Sequence, residues 1–146
     1  MIRIFRENSK YLVEMALINP ELCKNKSIRI ELEQRDEGPI PHVHVYIDGR
    51  NPKKCVYVRL DKPEYSMHHS KHRRTYTFNK AQKQEFIEVM SSIWKKHHTE
   101  SETTGETRPA TGYEMAVRTW LDTYGETVPF NYDEDGFLIM PDYTKL

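Results

Sequence analysis

The chain predicts an α+β fold: an antiparallel sheet of four to six strands packed against one long helix, with a second, shorter helix and a C-terminal arm or hairpin. Three observations predict it. Ser27–Gln34 and the stretch 42–60 alternate apolar and polar residues with period two, the mark of strands covered on one face. Lys80 to about Lys96 places Phe86, Met90, Ile93 and His97 at helical spacing. Tyr113, Val117, Trp120, Leu121 and Tyr124 repeat that spacing further on.

At 146 residues the chain suits one domain, 1–146, which buries roughly 70% of its unfolded surface. Residues 1–98 are expected to supply the sheet and long helix, 99–110 a flexible loop, and 111–146 a helix and acidic tail. Met1–Phe5 and Tyr11–Ile18 read as further strands, broken by Asn19-Pro20. Ile28, Ile30 and Leu32 alternate with Arg29, Glu31 and Glu33, so a charged outer face is expected. Val43, Val45 and Ile47 should face the core, with His42, His44, Tyr46 and Asp48 opposite. Val56, Val58 and Leu60 continue the core face on the return strand, against Cys55, Tyr57 and Arg59. Arg74–Phe78 suggests one more strand, with Tyr76 and Phe78 inward.

Asn79 with Gln82, and Thr111 with Glu114, have the spacing of capping boxes, in which each side chain satisfies the other residue's backbone N–H. Gly125 is placed to stop the second helix. Thr99–Ala110 reads as a polar loop, and Asp133-Glu134-Asp135-Gly136 as a turn between two apolar patches of the tail.

No run of 18 apolar residues exists, so no membrane helix is expected. The charged N-terminal stretch lacks a signal peptide's apolar core, and a cytoplasmic setting is the simpler expectation. Cys23 and Cys55 have no paired-motif spacing, which fits two reduced thiols.

Zero net charge conceals three unequal blocks. Residues 1–49 carry −1, residues 50–98 carry +8 and residues 99–146 carry −7. A basic middle can meet phosphates. It can equally be neutralised by the acidic third folding over it.

The run Pro39-Ile40-Pro41-His42-Val43-His44-Val45 resembles the motif of a family of small uncharacterised bacterial proteins. In those, Pro-Pro-His-x-His-Val opens a strand, followed by a hairpin and an amphipathic helix ending near a Trp. The resemblance covers residues 1–96, matches His42 and His44 to the motif histidines, and matches Lys80–Trp94 to the helix. It departs at Ile40, which splits the prolines, at the Tyr65–Arg73 insertion, and throughout 99–146. It implies an α+β fold and an accessory setting on mobile elements, often beside a small partner protein. It implies no reaction.

Three constellations could carry chemistry. His42 and His44 share a strand face about 7 Å apart, near enough to hold one zinc or manganese ion with His69 or His72, and with Asp48 or His68 as further donors. The alternative is that both imidazoles hydrogen-bond to loop backbone or Tyr57 and brace the hairpin. The run His68-His69-Ser70-Lys71-His72-Arg73-Arg74, flanked by Tyr65 and Tyr76, combines cations with rings as nucleic-acid surfaces do. Arg59, Lys53 and Lys54 could extend it, or the run could be a solvated loop. Cys55 beside the histidines could be a nucleophile, although a strand cysteine more often packs as a small hydrophobe. No phosphate-binding glycine loop or nucleophile elbow is present.

The expected function is therefore a small accessory or regulatory protein that binds a macromolecule. The partner would be a nucleic acid, or a protein that handles one, as in inhibition of a nuclease or defence complex. The expected surface is His42, His44, Tyr57, Arg59, His68, His69, Lys71, His72, Arg73 and Arg74. A metal-dependent phosphodiesterase built on His42 and His44, and an antitoxin-like structural partner, are the other classes.

Overall fold

The computed structural model of the chain describes residues 28–32, 39–47, 55–66 and 76–146. The expected strands Met1–Phe5 and Tyr11–Ile18 lie outside them, as does Cys23. Strands β1 (Ile28–Glu31), β2 (His42–Ile47) and β3 (Cys55–Arg59) form an antiparallel sheet in that order. Helix α1 (Lys80–Ser91) follows, then β4 (Ile93–Glu100) and β5 (Thr107–Thr111), which pair only with each other among the described residues. Helix α2 (Gly112–Tyr124) leads to an extended tail that ends in a 3-10 turn at Tyr143–Lys145.

The class is α+β as expected, but the described strands fall into two small sheets, one of three strands and one of two, rather than one sheet of four to six. Among the described residues there is likewise no pairing of one long helix with one short one. The two described helices have 12 and 13 residues.

Both capping boxes form. Asn79 and Gln82 exchange hydrogen bonds at 2.8 and 2.9 Å, and Thr111 and Glu114 at 3.2 and 3.1 Å. Helix α1 ends five residues before Lys96. Ser92 turns extended, and its hydroxyl and N–H both donate to the Val89 carbonyl, closing the last turn. The Ser92 carbonyl then accepts from Gly112 N–H, which ties the exit of α1 to the start of α2. A β-carbon at Gly112 would collide with the Val89 carbonyl, so a glycine is needed at this approach.

Residues 99–110, expected as a loop, are instead the end of β4, a tight turn and most of β5. Gly105 supplies the left-handed conformation of that turn (φ +73°). Residues 76–79 are irregular rather than strand, although Tyr76 and Phe78 pack against the core as expected.

The core sits on the aliphatic face of the sheet. Ile28, Ile30, Leu32, Val43, Val45, Val56, Val58 and Leu60 form one cluster with Phe86, Val89 and Met90 of α1 and Tyr113 and Val117 of α2, and Trp120 of α2 joins it while its ring also reaches His42. Burying each such side chain contributes about 1.5–3 kcal/mol. The tail closes this core with Phe130 and Tyr143. Two buried phenols pin the end of β3: Tyr143 Oη donates to the Arg59 carbonyl (2.7 Å) and Tyr113 Oη to the Leu60 carbonyl (2.6 Å).

Candidate functional site

The pleat of β2 turns both histidines to the face opposite the valines, and the register sets their neighbours. His44 stands between Glu31 of β1 and Tyr57 of β3, His42 opposite Arg59, and Tyr46 between Arg29 and Cys55. One face of the sheet thus gathers Glu31, His42, His44, Cys55, Tyr57 and Arg59. Cys55, Tyr57 and Arg59 share the histidines' face, as the period-two alternation of both strands predicts.

Exposure departs from expectation. His42 is 1% exposed, His44 6%, Tyr57 8% and Glu31 5%. The face expected to be charged and wet is covered. These side chains are therefore not a contact surface, since a partner cannot reach them without opening the fold.

The imidazoles stack with centroids 5.2 Å apart, and the His44 ring meets the Tyr57 ring edge-on at 4.8 Å. The Trp120 ring lies 5.6 Å from His42. Nδ1 of His42 donates to the Ile40 carbonyl at 2.7 Å, a bond only a protonated Nδ1 can make. That bond fixes the His42 ring and braces the Pro39–Pro41 entry into β2.

Among the described residues no three His, Cys, Asp or Glu side chains are grouped to hold a metal ion. The donors expected to complete such a site, Asp48, His68, His69 and His72, lie outside the described residues. So do Lys53, Lys54, Lys71, Arg73 and Arg74. Cys55 is 3% exposed and its Sγ points at the Val56 carbonyl (3.9 Å), the setting of a small packed hydrophobe rather than a nucleophile.

Arg59 does not extend a phosphate surface. Its guanidinium forks onto Asp61 through Nε and Nη2 at 2.9 and 2.7 Å, and Glu64 lies 3.6 Å away. Hydrogen bonding to Asp61 raises its already high pKa, against a smaller opposing effect of burial. Tyr65 is not a free stacking platform either: its ring packs edge-on against Phe78 at 6.0 Å, and its Oη accepts from Phe78 N–H.

The basic block has other exposed members. Lys62, Lys80, Lys95 and Lys96 are exposed, and no described acidic side chain pairs with them. Described ion pairs join Arg59 with Asp61 and Glu64, Arg108 with Glu114, and Arg118 with Glu102, while Lys83 Nζ reaches the tail and donates to the Thr144 and Leu146 carbonyl oxygens at 3.1 Å. Lys95 and Lys96 fall where helical spacing continues from α1, yet they stand on β4. The run Trp94-Lys95-Lys96-His97-His98 was the signal that could have exposed them.

No protein-family model matches the chain, and neither the curated proteins nor the solved structures yield a match. No described helix is long and apolar enough to cross a membrane.

Proposed function

We propose that the protein works by binding a nucleic acid through its basic middle, as a small accessory or regulatory factor. One observation carries this reading: the block with charge +8 keeps Lys62, Lys80, Lys95 and Lys96 exposed, and no described acidic side chain pairs with them. Exposed cations that nothing neutralises attract a polyanion and release its counterions on contact. The run His68–Arg74 belongs to the same block and would add its cations to that surface.

The test is the salt dependence of binding to a labelled 20-base-pair DNA. Replacing Arg73 and Arg74 together by Ala should lower the slope of log K against log salt by about 1.8, two phosphate contacts at about 0.9 each. A slope that does not move removes the nucleic-acid reading. Capture of a protein partner that persists at 1 M salt would favour instead a factor whose target is a nucleic-acid-handling protein.

A further inference from the structure

In the β4–β5 ribbon, Ile93 faces Thr111 and Trp94 faces Ala110, but the next pair is His98 with Pro109. Three residues, 95–97, thus stand against no residue of β5. Pro109 explains the break, because it has no N–H to give the ladder and a strand accommodates it at a bulge. The bulge also changes which residues face inward. Before it Trp94 is half-buried; at its last residue His97 is buried, and beyond it Thr99 is. An unbroken strand would bury every second residue and turn only one of two neighbouring lysines outward. Here Lys95 and Lys96 are both exposed, with Ile93 (57% exposed) and His98 on either side.

Ser92, just before the bulge, is tied to α2 through its carbonyl and Gly112 N–H (2.9 Å). At the far turn, the hydroxyls of Ser101 and Thr103 both donate to the Asp135 carbonyl. The ribbon is thus fixed at both ends, and the lysines stand on a scaffold that need not be ordered on binding.

We propose that this bulge is a contact for the sugar-phosphate backbone of double-stranded nucleic acid, with Lys95 and Lys96 each neutralising one phosphate; it rests on the nucleic-acid reading above. Two features select the duplex. Single strands are held by exposed aromatic rings on which bases stack. The only aromatic carbocycle of β4, Trp94, is half-buried and packed edge-on against His97 at 4.4 Å. The second feature is the acidic far end of the ribbon, with Glu100, Glu102 and Glu106 exposed. That end cannot enter a groove between phosphates, so the contact is made side-on at the bulge and reads no sequence. From Lys96 to Glu100 is about 13 Å of strand, beyond the screening length of roughly 8 Å at physiological salt, so the acidic end does not cancel the lysines.

The experiment measures fluorescence anisotropy of the labelled 20-base-pair duplex, and of oligo-dT of the same length, between 50 and 300 mM salt. Lys95→Ala/Lys96→Ala should lower the duplex slope by about 1.8 and weaken binding by up to ~60-fold near 0.1 M salt. Lys95→Arg/Lys96→Arg should restore the slope, and both variants should melt with the parent because the side chains are exposed. An unchanged slope in the alanine variant, with the slope still sensitive to Arg73 and Arg74, overturns this contact and leaves the function standing. A parent protein with no salt-dependent binding overturns both. A larger loss on oligo-dT than on duplex overturns the choice of duplex.

Discussion

The three-stranded sheet and the β4–β5 ribbon are both antiparallel, and both carry histidines and cations in their sequences, yet they treat them differently: of its histidines and cations the ribbon buries only His97. On the sheet, Glu31, His42, His44 and Tyr57 are covered although they oppose the aliphatic face. On the ribbon, Lys95, Lys96 and His98 stay exposed and a bulge breaks the alternation to keep them so. Polar groups placed under cover are costly unless hydrogen-bonded, and the bond from His42 to the Ile40 carbonyl offsets part of that cost. Polar groups left in water cost nothing to keep and remain available to a partner. A histidine-rich strand is thus a poor guide to a binding face until its covering layer is known.

The comparison rests on the ribbon being held from outside, since two strands alone are marginal in water. Its far turn is clasped by the turn at Asp133–Gly136. Asp133 Oδ1 accepts from the N–H groups of Asp135 and Phe137, and Gly136 adopts φ +83°. A β-carbon at Gly136 would lie 2.6 Å from Ser101 Oγ and Thr103 Oγ1 and 2.8 Å from Thr103 N. Gly136→Ala therefore combines a left-handed backbone penalty with a clash, and should cost about 2–3 kcal/mol, or roughly 6–12 °C of melting temperature. Amide exchange at 101–106 should accelerate more than at 43–45. Equal effects on the two regions would mean that ribbon and sheet open as one unit, and the contrast between them would fail.

What could be read from the sequence follows the same division. Local signals came through: both capping boxes, the Gly125 stop, the Asp133–Gly136 turn and the alternation of β1 to β3 depend on residues within a few positions of one another. The shared face of His42, His44, Cys55, Tyr57 and Arg59 was legible because the pleat dictates it. Its burial was not, because the cover comes from elsewhere in the chain, Trp120 among it. The ribbon was missed for a related reason. Ile93 and His97 fit helical spacing after Phe86 and Met90, and only pairing with β5, beyond a turn of Ser and Thr, makes that stretch a strand.

A smaller effect sharpens the sheet side of the contrast. Burial pushes the Tyr113 phenol well above the ordinary range, with the charge of Asp61 adding to it, and burial does the same to Tyr143. The unfolded chain releases these protons near pH 10 and the folded chain retains them. Their contribution is therefore fully present below about pH 10 and is lost as pH rises towards the folded values, at about 1.4 kcal/mol per pH unit for each phenol. Tyr113→Phe removes the bond to the Leu60 carbonyl and should cost about 1–2 kcal/mol at neutral pH. It should also make the alkaline decline shallower by one proton. Urea titrations at pH 7 and across pH 9.5–11.5 check both, and an alkaline slope identical to the parent's would show that Tyr113 titrates alike in the folded and unfolded chain.

The smallest expected effect falls on the ribbon's surface. Ile93 pairs with Thr111 yet leaves 57% of its area in water, so little apolar contact is lost when it is shortened. Ile93→Thr keeps the β-branched shape a strand favours and should change stability by no more than about 0.5 kcal/mol. A core isoleucine such as Ile30, fully covered, should cost far more for the same exchange, because a hydroxyl would replace an ethyl group where nothing is wet. Paired urea titrations of Ile93→Thr and Ile30→Thr thus measure directly how differently the two sheets treat one side chain. Equal losses would mean that Ile93 is covered in solution by something other than water, and the exposed row beside Lys95 and Lys96 would already be an occupied interface.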